Sequence, residues 1–126
     1  MPVPPELRYT KTHEWVRTES DGTLSVGITE HEQNALGDIV RLELPDPGLT
    51  VEKTSPIATI ESEKSASDVN APVSGVIMAI NESLASSPGA INTAPYDSWL
   101  VRIQPSDASA VDHLLSAVDY SNIIRE

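Results

Sequence analysis

Apolar residues recur at every second position through the middle of the chain, as in strands that lay one face on a core. Leu24-Ser-Val-Gly-Ile28 alternates apolar with small residues and predicts a half-buried strand. Val40-Arg-Leu-Glu-Leu44 repeats the pattern, as do Val76, Met78 and Ile80, and then Trp99, Val101 and Ile103. Prolines mark turns between these segments at Leu44-Pro-Asp-Pro-Gly48, Ser55-Pro56, Ala71-Pro72, Ser87-Pro-Gly89 and Ala94-Pro95. Helical spacing is confined to two places. Thr29-Glu-His-Glu32 reads as a capping box opening a short helix that ends near Gly37. Ser106 to Val118 sets Val111, Leu114, Leu115 and Val118 on one helical face behind a Ser106 or Asp107 cap, and a turn from Asp119 to Arg125 extends it. Gly37-Asp-Ile-Val-Arg-Leu42 weakly echoes Gly75-Val-Ile-Met-Ala-Ile80, a pattern that two similar half-sheets would leave.

Between these echoes lies Ala58-Thr-Ile-Glu-Ser-Glu-Lys-Ser-Ala-Ser-Asp-Val-Asn-Ala71, which reads as two strands folding back on each other. With Lys64 and Ser65 as the central turn residues, Ile60 faces Val69 and Ala58 faces Ala71; a one-residue slip sets Ile60 against Asn70 and mixes buried with solvated groups. The favoured register puts Lys64 at a hairpin tip beside the small residues Ser65, Ala66 and Ser67. No Gly or Asn signals a primed turn, so a type I geometry or a slightly longer loop is expected. An isolated lysine is usually an ordinary surface lysine. This one is among three in the chain, and Glu61, Glu63 and Asp68 lie within four positions of it. On the bland reading these carboxylates are a solvated cluster. On the sharper one they hold the amine charged, so that an acylating enzyme must take its proton.

Composition narrows the chemistry. A chain of 126 residues without an evident linker is expected to be one domain. A net charge of −11 speaks against nucleic-acid and anionic-lipid partners and for partners with basic docking patches. The longest apolar run is Val76 to Ile80, and Met1 to Glu6 lacks the regions of a signal peptide, so the expectation is a soluble, cytoplasmic protein. The absence of cysteine rules out disulfides, thiolate metal sites and thiol catalysis; sulfur redox chemistry would require an attached group. His31-Glu32 lacks the second histidine of a zinc-protease helix, and His13 beside Trp15 and His113 before Leu114 read as a packed and a solvated residue. Asn81-Glu-Ser83 matches a glycosylation sequon that a non-secreted chain would not use. No phosphate-binding glycine loop or serine-nucleophile elbow occurs.

Taken together, Tyr9-Thr-Lys-Thr-His-Glu-Trp-Val16, Val26-Gly-Ile-Thr29, Gln33-Asn-Ala-Leu-Gly-Asp-Ile-Val40, Ile60-Glu-Ser-Glu-Lys64 with Ser65-Ala-Ser-Asp68, Ala71-Pro-Val-Ser-Gly75 and Pro95-Tyr96 before Trp99-Leu100 resemble the glycine cleavage H proteins over nearly the whole chain. That resemblance implies a mainly β fold, a flattened barrel or sandwich of the lipoyl/biotinyl-carrier type (barrel-sandwich hybrid), elaborated at both ends and closed by a C-terminal helix. It implies a non-catalytic carrier with lipoate attached covalently to Lys64 by a lipoate ligase or octanoyl/lipoyl transferase, and Glu61, Glu63, Ser65 and Asp68 around the lysine are the expected recognition residues. The partners implied are a pyridoxal-phosphate glycine decarboxylase, a tetrahydrofolate-dependent aminomethyltransferase and a dihydrolipoyl dehydrogenase. Such a carrier shuttles the aminomethyl group and then electrons, sheltering the loaded arm in a surface cleft.

The chain departs from the family pattern at three places. Glu63 stands where many relatives carry an apolar residue, Asn70 where a tyrosine is common, and Asn92 to Trp99 is one residue short and lacks the usual glycines. Other readings are a relay donating octanoyl or lipoyl groups to other enzymes, and an unmodified interaction module. Biotin carriage is disfavoured because Glu63 and Ser65 stand where methionines would flank the lysine. A lipoyl domain of a 2-oxo acid dehydrogenase is disfavoured by the extended ends and the lack of a tether.

Overall fold

The computed structural model describes residues 3–124; the Arg125 end of the expected C-terminal turn and the first two residues of the amino-terminal segment lie outside that range. The chain opens with strands β1 (Arg8–Tyr9), β2 (Glu14–Thr18) and β3 (Leu24–Ile28) and helix α1 (Glu30–Leu36). Strands β4 (Ile39–Glu43), β5 (Thr50–Val51), β6 (Pro56–Ser62), β7 (Ala66–Asn70) and β8 (Gly75–Ile80) follow. Helices α2 (Glu82–Ser86) and α3 (Ala90–Thr93) and a 3₁₀ turn at Pro95–Asp97 lead to β9 (Val101–Pro105), a 3₁₀ segment at Ala108–His113 and helix α4 (Ala117–Ile124). The strands form two antiparallel sheets, one ordered β1-β2-β3-β9-β8-β5 and the other β4-β6-β7. Ile57, Ile60 and Val69 of the smaller sheet share one core with Val26, Ile28, Ile77, Val101 and Ile103 of the larger, so the architecture is the expected mainly β sandwich.

Strand β3 is buried along its whole length, not on one face as its alternation predicts. Leu24, Val26 and Ile28 point into the main core, while the other face of the sheet lies under a second cluster of Val3, Leu7, Tyr9, Trp15 and Tyr120. The two chain ends supply that cover. Trp15 opposes Gly27 across the β2–β3 pair, and a Cβ on Gly27 would lie 2.5 Å from the indole, so glycine there makes room for the ring.

Three further expectations are corrected. Val76, Met78 and Ile80 do not form the inward row of β8: Ile77 is fully buried, Met78 is 54% exposed, and a bulge between Ile77 and Ala79 breaks the alternation. The run Val76 to Ile80 is apolar on both faces, and the choice falls to backbone bonds that clamp Ile77 to Gly48 and Leu49. In β4 a bulge between Ile39 and Arg41 leaves Val40 at 55% exposure and Leu42 buried. The helix expected from Ser106 to Val118 is interrupted. Asp107 does cap its start, accepting from Ser109 N at 3.0 Å, but Leu115 is extended and exchanges two backbone bonds with Tyr9, extending the β1 edge. Leu114 turns into the core there, and helix resumes only at Ala117.

Helix α1 begins and ends as predicted, capped by Thr29 and closed at Gly37. Only half of the capping box forms. Thr29 Oγ1 accepts from Glu32 N at 3.3 Å, whereas Thr29 N donates to the His13 carbonyl, which frees the Glu32 carboxylate to accept from Ser67 Oγ on β7.

Candidate functional site

The β6–β7 hairpin pairs Glu61 with Ala66, Ile60 with Ser67 and Ala58 with Val69. The register is therefore two residues away from the expected one, and the central turn residues are Glu63 and Lys64. A two-residue slip leaves every side chain on its original face, which is why apolar matching excluded the odd register but could not discriminate between the even ones. What selects this register is local. Ser62 N donates to the Ser65 carbonyl at 2.8 Å, and Ser62 Oγ accepts the amides of Lys64 (3.3 Å) and Ser65 (3.1 Å). A serine hydroxyl thus caps the turn in place of a glycine or asparagine backbone.

Lys64 stands exposed at this tip, and its Nζ makes no ion pair or hydrogen bond among the described residues. Its stem passes over Gly37, where an added Cβ would lie 3.4 Å from Lys64 Cε. The tip is tethered to the adjoining loop by the Glu63 amide, which donates to the Asp38 carbonyl at 3.2 Å. Glu63 and Ser65 flank the lysine and are exposed. Glu61 and Asp68 lie on the outward face of the hairpin, Glu61 opposite Arg41 and Asp68 accepting from Thr59 Oγ1 at 3.4 Å. The four neighbours thus surround the lysine without pairing with it.

A cleft of about 330 Å³ opens where the β1–β2 turn, the end of β7 and Leu114-Leu115 meet. Its walls include Tyr9, Ala71, Pro72 and Leu114, with Lys11, Lys53 and His113 also lining it. Asn70 lines it as well, whereas neither Glu63 nor any residue of the 92–99 loop does. Glu14 borders the cleft with only 1% of its surface exposed. Its carboxylate accepts hydrogen bonds from Thr10 Oγ1, from Thr12 Oγ1 at 2.6 Å and from the Asn70 amide at 3.1 Å. Burial pushes this carboxyl above the ordinary range, and the three hydrogen bonds oppose the rise without cancelling it. Sequence reasoning did not single out Glu14. The available signal was a glutamate directly before the apolar pair Trp15-Val16 in a strand, with two threonines just upstream.

His13 is a packed residue, as expected from its position beside Trp15. Its Nδ1 lies 2.8 Å from Tyr120 Oη, which also bonds Thr29 Oγ1 at 2.7 Å, and burial lowers its pKa from the ordinary value. His31 packs against it with ring centroids 4.7 Å apart. His113 is exposed, and Asn81 uses its side-chain amide on the Trp99 carbonyl. No group of three or more metal-ligating side chains occurs among the described residues.

Two facing antiparallel sheets, short helices on the connections and termini folded over the larger sheet define the class: a lipoyl-carrier fold of the barrel-sandwich type. The model of the glycine cleavage H-protein family matches residues 7–126, and the chain belongs to that family. It is 52% identical over 126 residues to the glycine cleavage system H protein of Paraburkholderia phymatum, covering 100% of both chains. The corresponding protein of Pseudoalteromonas atlantica is 54% identical over 98% of this chain and 97% of its own. A crystal structure of a glycine cleavage system H protein from Mycobacterium marinum superposes with a TM-score of 0.85 at 39% identity, covering 94% of this chain and 96% of that one. No helix among the described residues is long and apolar enough to cross a membrane.

Proposed function

We propose that Lys64 carries lipoate in amide linkage and that the chain, as one carrier domain in the cytoplasm, is the shuttle of the glycine cleavage system. The observation that carries the assignment is the tip itself: an exposed amine, unpaired among the described residues, on a turn braced by Ser62 and Asp38, in a chain of the glycine cleavage H-protein family. The residues present fit the modification. Amide formation removes a charge that no carboxylate among the described residues pairs with, and Ser65, Ala66 and Ser67 are small neighbours of the amine. When attached, the dithiolane supplies the redox sulfur that a cysteine-free chain lacks.

In this reading the chain's own side chains make and break no bonds. They present one arm, at high effective concentration, to a pyridoxal-phosphate glycine decarboxylase, a tetrahydrofolate-dependent aminomethyltransferase and a dihydrolipoyl dehydrogenase. Glu63 and Ser65 beside the lysine, with Glu61 and Asp68 on the outward face, form the surface read by a lipoate ligase or octanoyl/lipoyl transferase. The cleft at Glu14 is the place we assign to the aminomethyl cargo: the Glu14 oxygens that border it accept N–H donors, and Ala71, Pro72 and Leu114 give it apolar walls.

Intact-protein mass spectrometry of material from lipoate-replete cells tests the assignment. A lipoyl increment on the wild type that disappears in Lys64→Arg is expected, together with glycine-dependent CO₂ exchange from the decarboxylase only with the modified wild type. Bare wild-type protein, or an increment that survives the substitution, overturns it.

A further inference from the structure

Asn92, on α3, makes no hydrogen bond to Lys64, yet its side chain is the hub of a network that ends at the lysine's hairpin. Its Oδ1 accepts the Ile39 amide at 2.9 Å, and its Nδ2 donates to Gln33 Oε1 at 2.8 Å and to the Gly37 carbonyl at 2.9 Å. Between the two anchored residues lies Asp38, whose carbonyl receives the Glu63 amide, and Gly37 is the floor under the Lys64 stem. Gly37 has φ 84° and ψ −159°, a backbone conformation that L side chains rarely adopt, and its carbonyl is held by Asn92. Only a side-chain amide accepts one N–H and donates to two oxygens from a single planar group. An aspartate of the same shape would set a carboxylate against the Gly37 and Gln33 oxygens.

We infer that Asn92 is a positioning residue for acylation of Lys64: by clamping Gly37-Asp38-Ile39 it holds the platform to which the hairpin tip is tied. This inference rests on the reading of Lys64 as the attachment point. In that step the neutral Nζ attacks the carboxyl carbon of ATP-derived lipoyl adenylate, the C–N bond forms as the C–O bond to AMP breaks, and the ammonium proton passes to solvent base. A tip released from its platform still offers the same amine, but the modifying enzyme must order it first. The population competent for binding falls and the apparent affinity falls with it.

The test compares wild type, Asn92→Asp, Thr93→Ala and Lys64→Arg as substrates of a lipoate ligase supplied with lipoate and ATP, alongside amide hydrogen exchange of the unmodified proteins. Thr93 is exposed on the same helix and serves as the control. The expected result for Asn92→Asp is a KM roughly tenfold higher with kcat within about twofold. Exchange at the Glu63 and Ile39 amides should be faster, while Val26 and Val101 in the large sheet stay protected. A wild-type KM in Asn92→Asp, or protection lost equally throughout both sheets, overturns the inference and leaves the Lys64 assignment standing. An unmodified wild type, or modified Lys64→Arg, overturns that assignment instead. One measurement needs no variant. In the wild type, Glu63 N–H should exchange more slowly than the amides of Lys64 and Ser65, whose acceptor is the exposed Ser62 hydroxyl; equal rates would mean the tip is not tied to the platform.

Discussion

Lys64 and Glu14 sit in opposite surroundings, the lysine exposed at a hairpin tip and the glutamate only 1% exposed beside the cleft. Lys64 gains nothing from its acidic neighbours: Glu61, Glu63 and Asp68 are close in sequence but none pairs with Nζ, so the amine remains available. Glu14 is enclosed, and burial raises its pKa against the bonds from Thr10, Thr12 and the Asn70 amide. A carboxyl whose pKa rises on folding contributes stability that is complete below its unfolded value and is lost as pH climbs through the folded one. Glu14→Gln cannot ionise and escapes that loss. The expected outcome is that the wild type loses stability relative to Glu14→Gln between about pH 4 and about pH 7, whatever constant offset the lost acceptors introduce. Urea melts of both proteins at the two pH values check it; a gap moving the other way would mean that the hydrogen bonds outweigh burial.

At the level of elements, the hairpin shows what local chemistry contributes beyond pattern. The Lys64 turn contains neither Gly nor Asn, and its two free amides are taken up by Ser62 Oγ. Ser62→Ala hands those amides to water, so the cost should be modest, roughly 0.5–1 kcal/mol, because the site is exposed. For a domain of this size that is a fall of about 2–4 °C in Tm, accompanied by faster exchange at the Lys64 and Ser65 amides; an unchanged exchange rate would show that the hydroxyl does not cap the turn. Helix α1 was legible from its capping residue and terminal glycine, but the destination of its Glu32 side chain was not, since Ser67 reaches it only after the hairpin folds over the helix. The C-terminal segment departs from its helical spacing for a related reason. Val111, Leu114, Leu115 and Val118 have helical spacing, yet the β1 edge offers Leu115 two backbone bonds and the core offers Leu114 burial, and these long-range gains override a local preference worth only tenths of a kcal/mol per residue.

Across the whole molecule Tyr120 adds a side-chain bridge to the backbone bonds between Tyr9 and Leu115 that join the two chain ends. Tyr120 stacks on Tyr9 with centroids 4.7 Å apart, and its Oη joins His13 of the β1–β2 turn to Thr29 at the start of α1. Tyr120→Phe keeps the stack and removes the bridge, leaving the buried Thr29 hydroxyl without that partner; a loss of about 1–3 kcal/mol is expected, read as a lower denaturation midpoint at unchanged m. A neutral outcome would mean that water or Glu32 takes over. By itself the sequence determined the mainly β class, because two-residue periodicity and proline punctuation are local properties of the chain, and its segments around Lys64 carried the resemblance to the H-protein family. Tertiary structure alone decided the rest: the hairpin register, since an even slip preserves both faces; the inward row of β8, since both rows are apolar; and the meeting of Glu14 with Asn70 and of Asn92 with Gly37, since hydrogen bonds across more than fifty residues leave no periodic trace in the sequence.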